Sequence, residues 1–219
     1  CAAVIDCAGP SVGSRTAVGD DLRGELFVPA RAFNLVLDID PPSDHATAVT
    51  AQYPGAPTLF LVPMGRHTVA GTWHEACEPD DPSPMPGVAS IDRFLQELSA
   101  AIPGFAPTRD NVRCIWSGLL PADGQGSSEA SDRPVIIDHG RRGGPLGLIS
   151  VSGVKYTTAR RVAEQAVAFE TQGLLAVGQK ADLREEAQIV VGKVQGGCDL
   201  AGFADDGFTL VRLVLGLDA

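Results

Sequence analysis

The run from Leu148 to Ala168, LISVSGVKYTTARRVAEQAVA, holds the residues best suited to chemistry. Leu148 to Ser152 reads as a buried strand, Gly153 as a turn, and the pair Thr157 and Thr158 as the opening of a helix, with Lys155 between them. The first N–H groups of a helix lack partners, and its dipole places roughly half a positive charge at that end. Lys155 adds a full charge. Gly153, without a Cβ, lets the backbone approach a ligand closely. This is a place for an anion or an electron-rich ring. A plain strand–helix unit with a capped helix satisfies the same pattern.

The elements that must position these residues can be read from periodicity. Ala2 to Asp6 is a short apolar strand ended by Cys7-Ala8-Gly9-Pro10. Gly13 to Gly24 reads as loop and Glu25 to Val28 as a short strand. Phe33 to Ile39 is a strong strand. Pro41 to Pro57 reads as loop. Thr58 to Val62 and Thr68 to Gly71 form an antiparallel pair about Met64-Gly65-Arg66. Glu75 to Gly87, acidic and proline-rich, reads as surface loop. Val88 to Ile102 is an amphipathic helix, with Ile91, Phe94, Leu95, Leu98 and Ile102 on one face. Val112 to Leu119 and Pro134 to Asp138 are strands, separated by the loop Asp123 to Asp132. Beyond the helix Thr157 to Glu170, a helix is predicted over Ala181 to Gln188 and strands over Gln188 to Val194 and Thr209 to Leu215. Many strands and few helices predict a mixed α/β (α+β) fold with a mostly antiparallel sheet.

The chain has 219 residues, is 44% hydrophobic and carries a net charge of −10. That balance excludes nucleic acid as a partner, which requires a basic face. Five widely spaced cysteines without C-x-x-C predict reduced, buried thiols, and four scattered histidines predict no metal site. No leader pattern opens the sequence, so the expected location is the cytoplasm, or the periphery of the inner membrane if electrons leave to a quinone.

Several blocks carry a resemblance. Gly153, Lys155, Thr157, Thr158 and Arg160 match the motif S-V-F-G-G-K-x-T-T-x-R of the FAD-dependent glycerol-3-phosphate dehydrogenases, within the D-amino-acid-oxidase-like flavoproteins. Val154 departs, where that family has its second glycine. VIDCAGP, LFLVPMGRHTVAGTW and WSGLLPAD resemble three further family blocks and follow in the family's order. Arg133 falls where the family has an arginine shortly after the last of these. The resemblance spans roughly residues 2 to 170. It implies FAD as cofactor, with contacts at Ala8, Gly9, Gly118, Gly153, Val154, Lys155, Tyr156 and Thr157. It implies catalytic roles for Lys155 and Arg133, a small-molecule substrate, and quinone or oxygen as electron acceptor. It implies a fragment of a two-domain FAD-binding fold. Residues 1–20 and 147–172 would be the last strand and C-terminal helix of the FAD-binding domain, 21–146 the substrate domain, and 173–219 a divergent extension.

The sequence opens on Cys1 inside a strand pattern and contains no G-x-G-x-x-G in strand–turn–helix context. The expectation is therefore the C-terminal portion of a longer flavoprotein whose N-terminal FAD-binding segment is missing here; a processed small protein is the alternative. Two departures bear on substrate. Leu120 stands where the family has the arginine of G-L-R-P, and Asn34 where it has a histidine. Leucine cannot pair a phosphate and asparagine is no base. His67 and His139 could serve as bases, although each reads better as a surface or strand-edge histidine. An amine or amino-acid oxidase, with Arg133 on a carboxylate, and a non-enzymatic interaction domain are the rival functions.

Overall fold

The computed structural model describes residues 4–13, 20–77, 83–153 and 155–176. In chain order the elements are β1 (Val4–Asp6), α1 (Asp20–Leu26), β2 (Pro29–Leu37), β3 (Thr47–Thr50), β4 (Thr58–Met64), β5 (His67–Ala76), α2 (Val88–Ala101), β6 (Val112–Pro121), β7 (Val135–Asp138), β8 (Leu148–Ser152) and α3 (Ala159–Ala176). The chain divides into two compact units, Cys1–Phe27 with Asp132–Ala219, and Val28–Ser131.

The first unit is built on a three-stranded sheet, β1-β8-β7. β1 runs parallel to β8 in the register Val4↔Leu148, Ile5↔Ile149, Asp6↔Ser150. β7 runs antiparallel to β8, with Val135 opposite Ser152. Side chains alternate along a strand, so Ile5, Ile136, Ile149 and Val151 share one face, where they pack with Val162, Ala166 and Phe169 of α3. The other face carries Val135 and Ile137, which pack with Val12, Leu22, Leu26 and Phe27. Both faces of β8 are covered, and all five of its residues are buried.

The second unit is a five-stranded antiparallel sheet in the order β3-β4-β5-β2-β6, mostly antiparallel as expected. Phe33, Leu35 and Leu37 of β2 and Leu59 and Leu61 of β4 meet Phe94, Leu95 and Leu98 of α2. Phe94 stands edge-on to Phe33 at 5.7 Å and stacks on Trp73 at 5.2 Å. Burying each such side chain contributes about 1.5–3 kcal/mol, which is why this helix forms without a side-chain cap at Gly87. Ile102 leaves the helix in extended backbone, and Gly104 at φ +85° turns the chain away.

Four local expectations fail. Asp20–Leu26 is a helix, not loop followed by strand. Leu22 and Leu26 are spaced i, i+4 and pack on the β7 face, so tertiary burial decides where local propensity is weak. Thr47–Thr50 is a strand inside the predicted loop, held by pairing with β4 and by Val49 against the core. β5 extends to Ala76, two residues into the acidic loop, because Glu75 pairs across to Arg31. The thiols are not uniform: Cys7 is exposed, Cys77 is buried and Cys114 is disulfide-bonded. The elements predicted over 181–188, 188–194 and 209–215 lie outside the described residues. The compact units divide at 27/28 and 131/132, and the pairing of β7 with β8 holds 135–138 in the first unit.

Candidate functional site

The parallel pairing of β1 with β8 points both carboxyl ends the same way. The turn after Asp6 and the turn after Ser152 therefore emerge side by side. Because β7 is antiparallel, the segment before Val135 arrives at that same end. Three turns from distant parts of the sequence converge, carrying Ala8 and Gly9, Gly153 and Lys155, and Arg133. In open α/β sheets ligands bind outside the carboxyl ends of parallel strands.

Each turn is shaped by an identifiable interaction. The Asp6 carboxylate accepts the Ala8 N–H at 3.1 Å and the Gly13 N–H at 2.8 Å, closing a loop around Gly9. Gly9 has φ +59°, and a Cβ built on it would meet nothing within 4 Å. That turn thus presents bare backbone to open space. Gly153 has φ +74°, and a Cβ there would lie 2.8 Å from the Arg133 carbonyl oxygen. The β8 turn is thereby pressed against the strand before β7. Lys155 forms an ion pair with Asp132. The lysine's hydrogen bond and charge hold the Asp132 carboxyl below its usual range.

The helix start differs in detail from the sequence reading. Tyr156–Thr158 is a 3-10 turn, and the α-helix begins at Ala159 rather than Thr157. Thr158 bonds back to the Lys155 carbonyl through both its N–H (3.0 Å) and its Oγ1 (3.2 Å). The helix is seated by Val162 and Ala166 on Ile149 and Val151, so sheet packing sets where it starts. Thr157 is exposed. Val154 lies outside the described residues. Gly118 is in the second unit, on β6 opposite Ala32 of β2, and a Cβ there would also meet nothing within 4 Å. Of the two carboxylates near Arg133 in sequence, Asp132 takes Lys155 and Asp138 takes Arg141.

His139 is not a surface histidine. It is 1% exposed at the end of β7, with Nε2 2.9 Å from the Ser150 Oγ. Burial pushes its pKa down, against the raising effect of the Asp138 and Asp6 charges, so the ring is neutral. Ser150 is opposite Asp6 in register, which places a buried Ser–His pair behind the turn that Asp6 organises. His67 is half-buried at the start of β5, its Nδ1 3.2 Å from the Asp38 carboxylate without hydrogen-bond geometry. Sequence reasoning missed Asp6, whose signal was an acid two residues before the glycine turn. It also missed Gly71, where a Cβ would fall 1.8 Å from the Asn34 Oδ1. Asn34 itself accepts a hydrogen bond from the Thr72 Oγ1 at 3.0 Å. Leu120 stands 38% exposed on β6.

Among the described residues no group of three or more His, Cys, Asp or Glu could hold a metal ion, and no helix is long and apolar enough to cross a membrane. A shallow cleft of about 390 Å³ in the first unit lies between Pro134, Ile136 and Gln165, Ala168, Phe169. No titratable side chain lines it, and Pro134 joins it to the segment before β7.

No family model matches the chain. It is 27% identical over 176 residues to a probable mitochondrial glycerol-3-phosphate dehydrogenase of Caenorhabditis elegans, covering 78% of this chain and 24% of the relative. It is 29% identical over 171 residues to glycerol-3-phosphate dehydrogenase 1 of Mycobacterium bovis, covering 75% of this chain and 32% of the relative. Among solved structures, the glycerol-3-phosphate dehydrogenase of Bacillus halodurans complexed with FAD matches 79% of this chain and 32% of its own, with TM-score 0.57 and 25% identity. The expected resemblance and fold class are thus found independently. The chain spans only about a quarter to a third of the length of these relatives.

Proposed function

We propose that this chain is the substrate-side portion of an FAD-dependent oxidoreductase that oxidises the secondary hydroxyl of glycerol 3-phosphate or a close small polar alcohol. The observation that carries the reading is the convergence of the Ala8–Gly9, Gly153–Lys155 and Arg133 turns at the end of a parallel strand pair. The fold is shared with an FAD-complexed dehydrogenase. In this reading residues 1–20 and 147–172 belong to the FAD-binding domain, 21–146 contribute the substrate side, and 173–219 extend the C-terminus. The parent family is the D-amino-acid-oxidase-like one. The protein acts in the cytoplasm or peripherally at a membrane, and passes electrons to a quinone or to oxygen.

The residues present fit the cofactor. Gly9 leaves the space that a Cβ would fill open to a ligand, and Gly153 brings the β8 turn close without a side chain. FAD, when bound, supplies a two-electron acceptor, while the protein supplies binding, orientation and electrostatics. Lys155 and the backbone after Gly153 would hold the edge on which reduction places negative charge, exchanging Asp132 for the cofactor. Ala8, Gly9 and Gly118 would allow close backbone approach, with Val154, Tyr156 and Thr157 as the remaining cofactor contacts. Arg133 would hold the anionic end of the substrate, since a guanidinium pairs a phosphate or carboxylate bidentately. Leu120 removes one charge-assisted pair from the family's phosphate clamp, typically ~1.5–3 kcal/mol. Glycerol 3-phosphate should therefore bind roughly 10- to 150-fold more weakly than to a protein with the arginine. The same exposed leucine favours, as second reading, an amine or amino-acid substrate whose carboxylate lies on Arg133.

The test is the absorption spectrum of the protein expressed from its full-length gene, followed by anaerobic glycerol 3-phosphate. Flavin bands that bleach support the reading in full. Bands that persist, then bleach with an amino acid, support the second. A folded protein that takes up no FAD refutes both.

A further inference from the structure

The cleft between β7 and α3 lies wholly in the first unit, and its volume of about 390 Å³ is that of a small-molecule site. Gln165, Ala168 and Phe169, spaced i, i+3 and i+4, line it from one side of α3. Pro134 and Ile136, two residues apart on the edge of the sheet, line it from the other. Gln165 and Ala168 are exposed and Phe169 is half-buried, so the cleft is open to a ligand. Four of the five lining residues are apolar, and none carries a charge to neutralise a charged ligand. The fifth, Gln165, has an amide that both donates and accepts hydrogen bonds. That group suits an oxygen that is an acceptor in one oxidation state and a donor in the other. Phe169 offers a ring for stacking. The Arg141 guanidinium, 5.7 Å from the centroid of that ring, sets positive charge beside electron-rich oxygens. A Cβ on Gly153 would lie 3.3 Å from the Pro134 Cα, so one end of the cleft abuts the glycine turn assigned above to the cofactor.

We propose that this cleft seats the electron acceptor and that the acceptor is a quinone. The inference rests on the oxidoreductase reading above and decides between the two acceptors it names. Two electrons and two protons pass from reduced FAD to the quinone. The two C=O groups of the quinone become C–OH groups, its ring becomes aromatic, and FAD is regenerated. The Gln165 amide N–H donates to a carbonyl of the quinone, and the Gln165 carbonyl accepts the O–H of the quinol. Pro134, Ile136, Ala168 and Phe169 hold the uncharged ring in both states.

The test uses the full-length, FAD-loaded protein and duroquinone as probe. An azidoquinone photolabel, read by mass spectrometry, should attach to the peptide carrying Gln165 to Phe169, and duroquinone should displace it. The flavin is then reduced with dithionite, whatever the substrate, and its reoxidation followed. Ala168→Trp fills the cleft from an exposed helix position and should slow reoxidation by duroquinone by about tenfold or more. Gln165→Leu removes one hydrogen bond and should raise the KM for duroquinone by about 2- to 10-fold. FAD content, reduction by glycerol 3-phosphate and reoxidation by oxygen should stay unchanged in both variants. A label that attaches elsewhere, or reoxidation by duroquinone that neither variant alters, overturns the role of the cleft and leaves the oxidoreductase reading standing. A folded protein that takes up no FAD overturns the reading and the role together.

Discussion

Replacing Gly153 by alanine probes the join between the β8 turn and the segment before β7. Two costs add. At φ +74° an L-residue pays about 1–2 kcal/mol for the left-handed conformation. The new Cβ would lie 2.8 Å from the Arg133 carbonyl oxygen and 3.3 Å from the Pro134 Cα. Both contacts are backbone, so no side chain can rotate aside, and relief by backbone movement costs about 1–3 kcal/mol. The sum is about 3 kcal/mol. With a urea slope of about 2 kcal/mol per M, the unfolding midpoint should fall by roughly 1.5 M. Gly153→Asn separates the two costs, since asparagine tolerates the left-handed region but carries the same Cβ. It should recover only the conformational share. Equal midpoints for Gly153→Ala and the unaltered protein would refute the reasoning: they would mean that the turn neither holds φ +74° nor presses on Arg133.

Other perturbations have distinct signatures. Asp6→Ala removes a charged acceptor from two N–H groups and should cost about 2–3 kcal/mol by urea unfolding; a loss below 0.5 would show that the loop around Gly9 closes without it. Lys155→Met should leave stability unchanged, since its partner Asp132 is exposed, yet slow flavin reduction by about 10²-fold; an unaltered rate would remove Lys155 from the site. For His139 the folded pKa is depressed by burial, so below the unfolded value of about 6.5 the unfolded chain binds more protons. Stability should therefore fall with acidification from there, by up to about 1.4 kcal/mol per pH unit, and His139→Gln should flatten that limb in urea titrations between pH 7 and 5.

Where burial follows a single local period, the sequence was enough. The apolar stripe of α2, the alternation of β2 and the unbroken run of β8 each announce their element, because each buries one face or two against a core. Leu22 and Leu26 give α1 only two anchors among charged residues and a glycine, too few to outweigh the loop-like composition. β3 has four residues, and its pairing with β4 is the larger part of what holds it. The site divides the same way. Gly153 and Lys155 were legible as a glycine turn and a charge at a helix start. Their neighbourhood with Gly9 depends on Asp6 meeting Ser150 across the parallel pair. Register over such separations has no local signature. His139 follows the edge strand β7, but its burial was not legible, because its partner Ser150 lies on the neighbouring strand.

The second unit interrupts the first. Residues 28–131 leave and return at one place: the Val28 carbonyl accepts the Ala122 N–H at 2.7 Å, and the Pro121 carbonyl accepts the Ser131 N–H at 2.7 Å. On a ribosome adding about 5–20 residues per second, β1 must wait roughly 7–30 s for its partner β8 to be made. During that interval the edge of β1 that β8 will occupy stays open to wrong partners. The inserted unit is synthesised without interruption, and all its strand pairs are internal. It can fold while β1 waits, and in doing so it brings residues 28 and 131 together and shortens the effective loop that β1 and β8 have left to close. A slow, aggregation-exposed phase should thus belong to the three-stranded sheet of the first unit, and residues 28–131 expressed by themselves should fold without it.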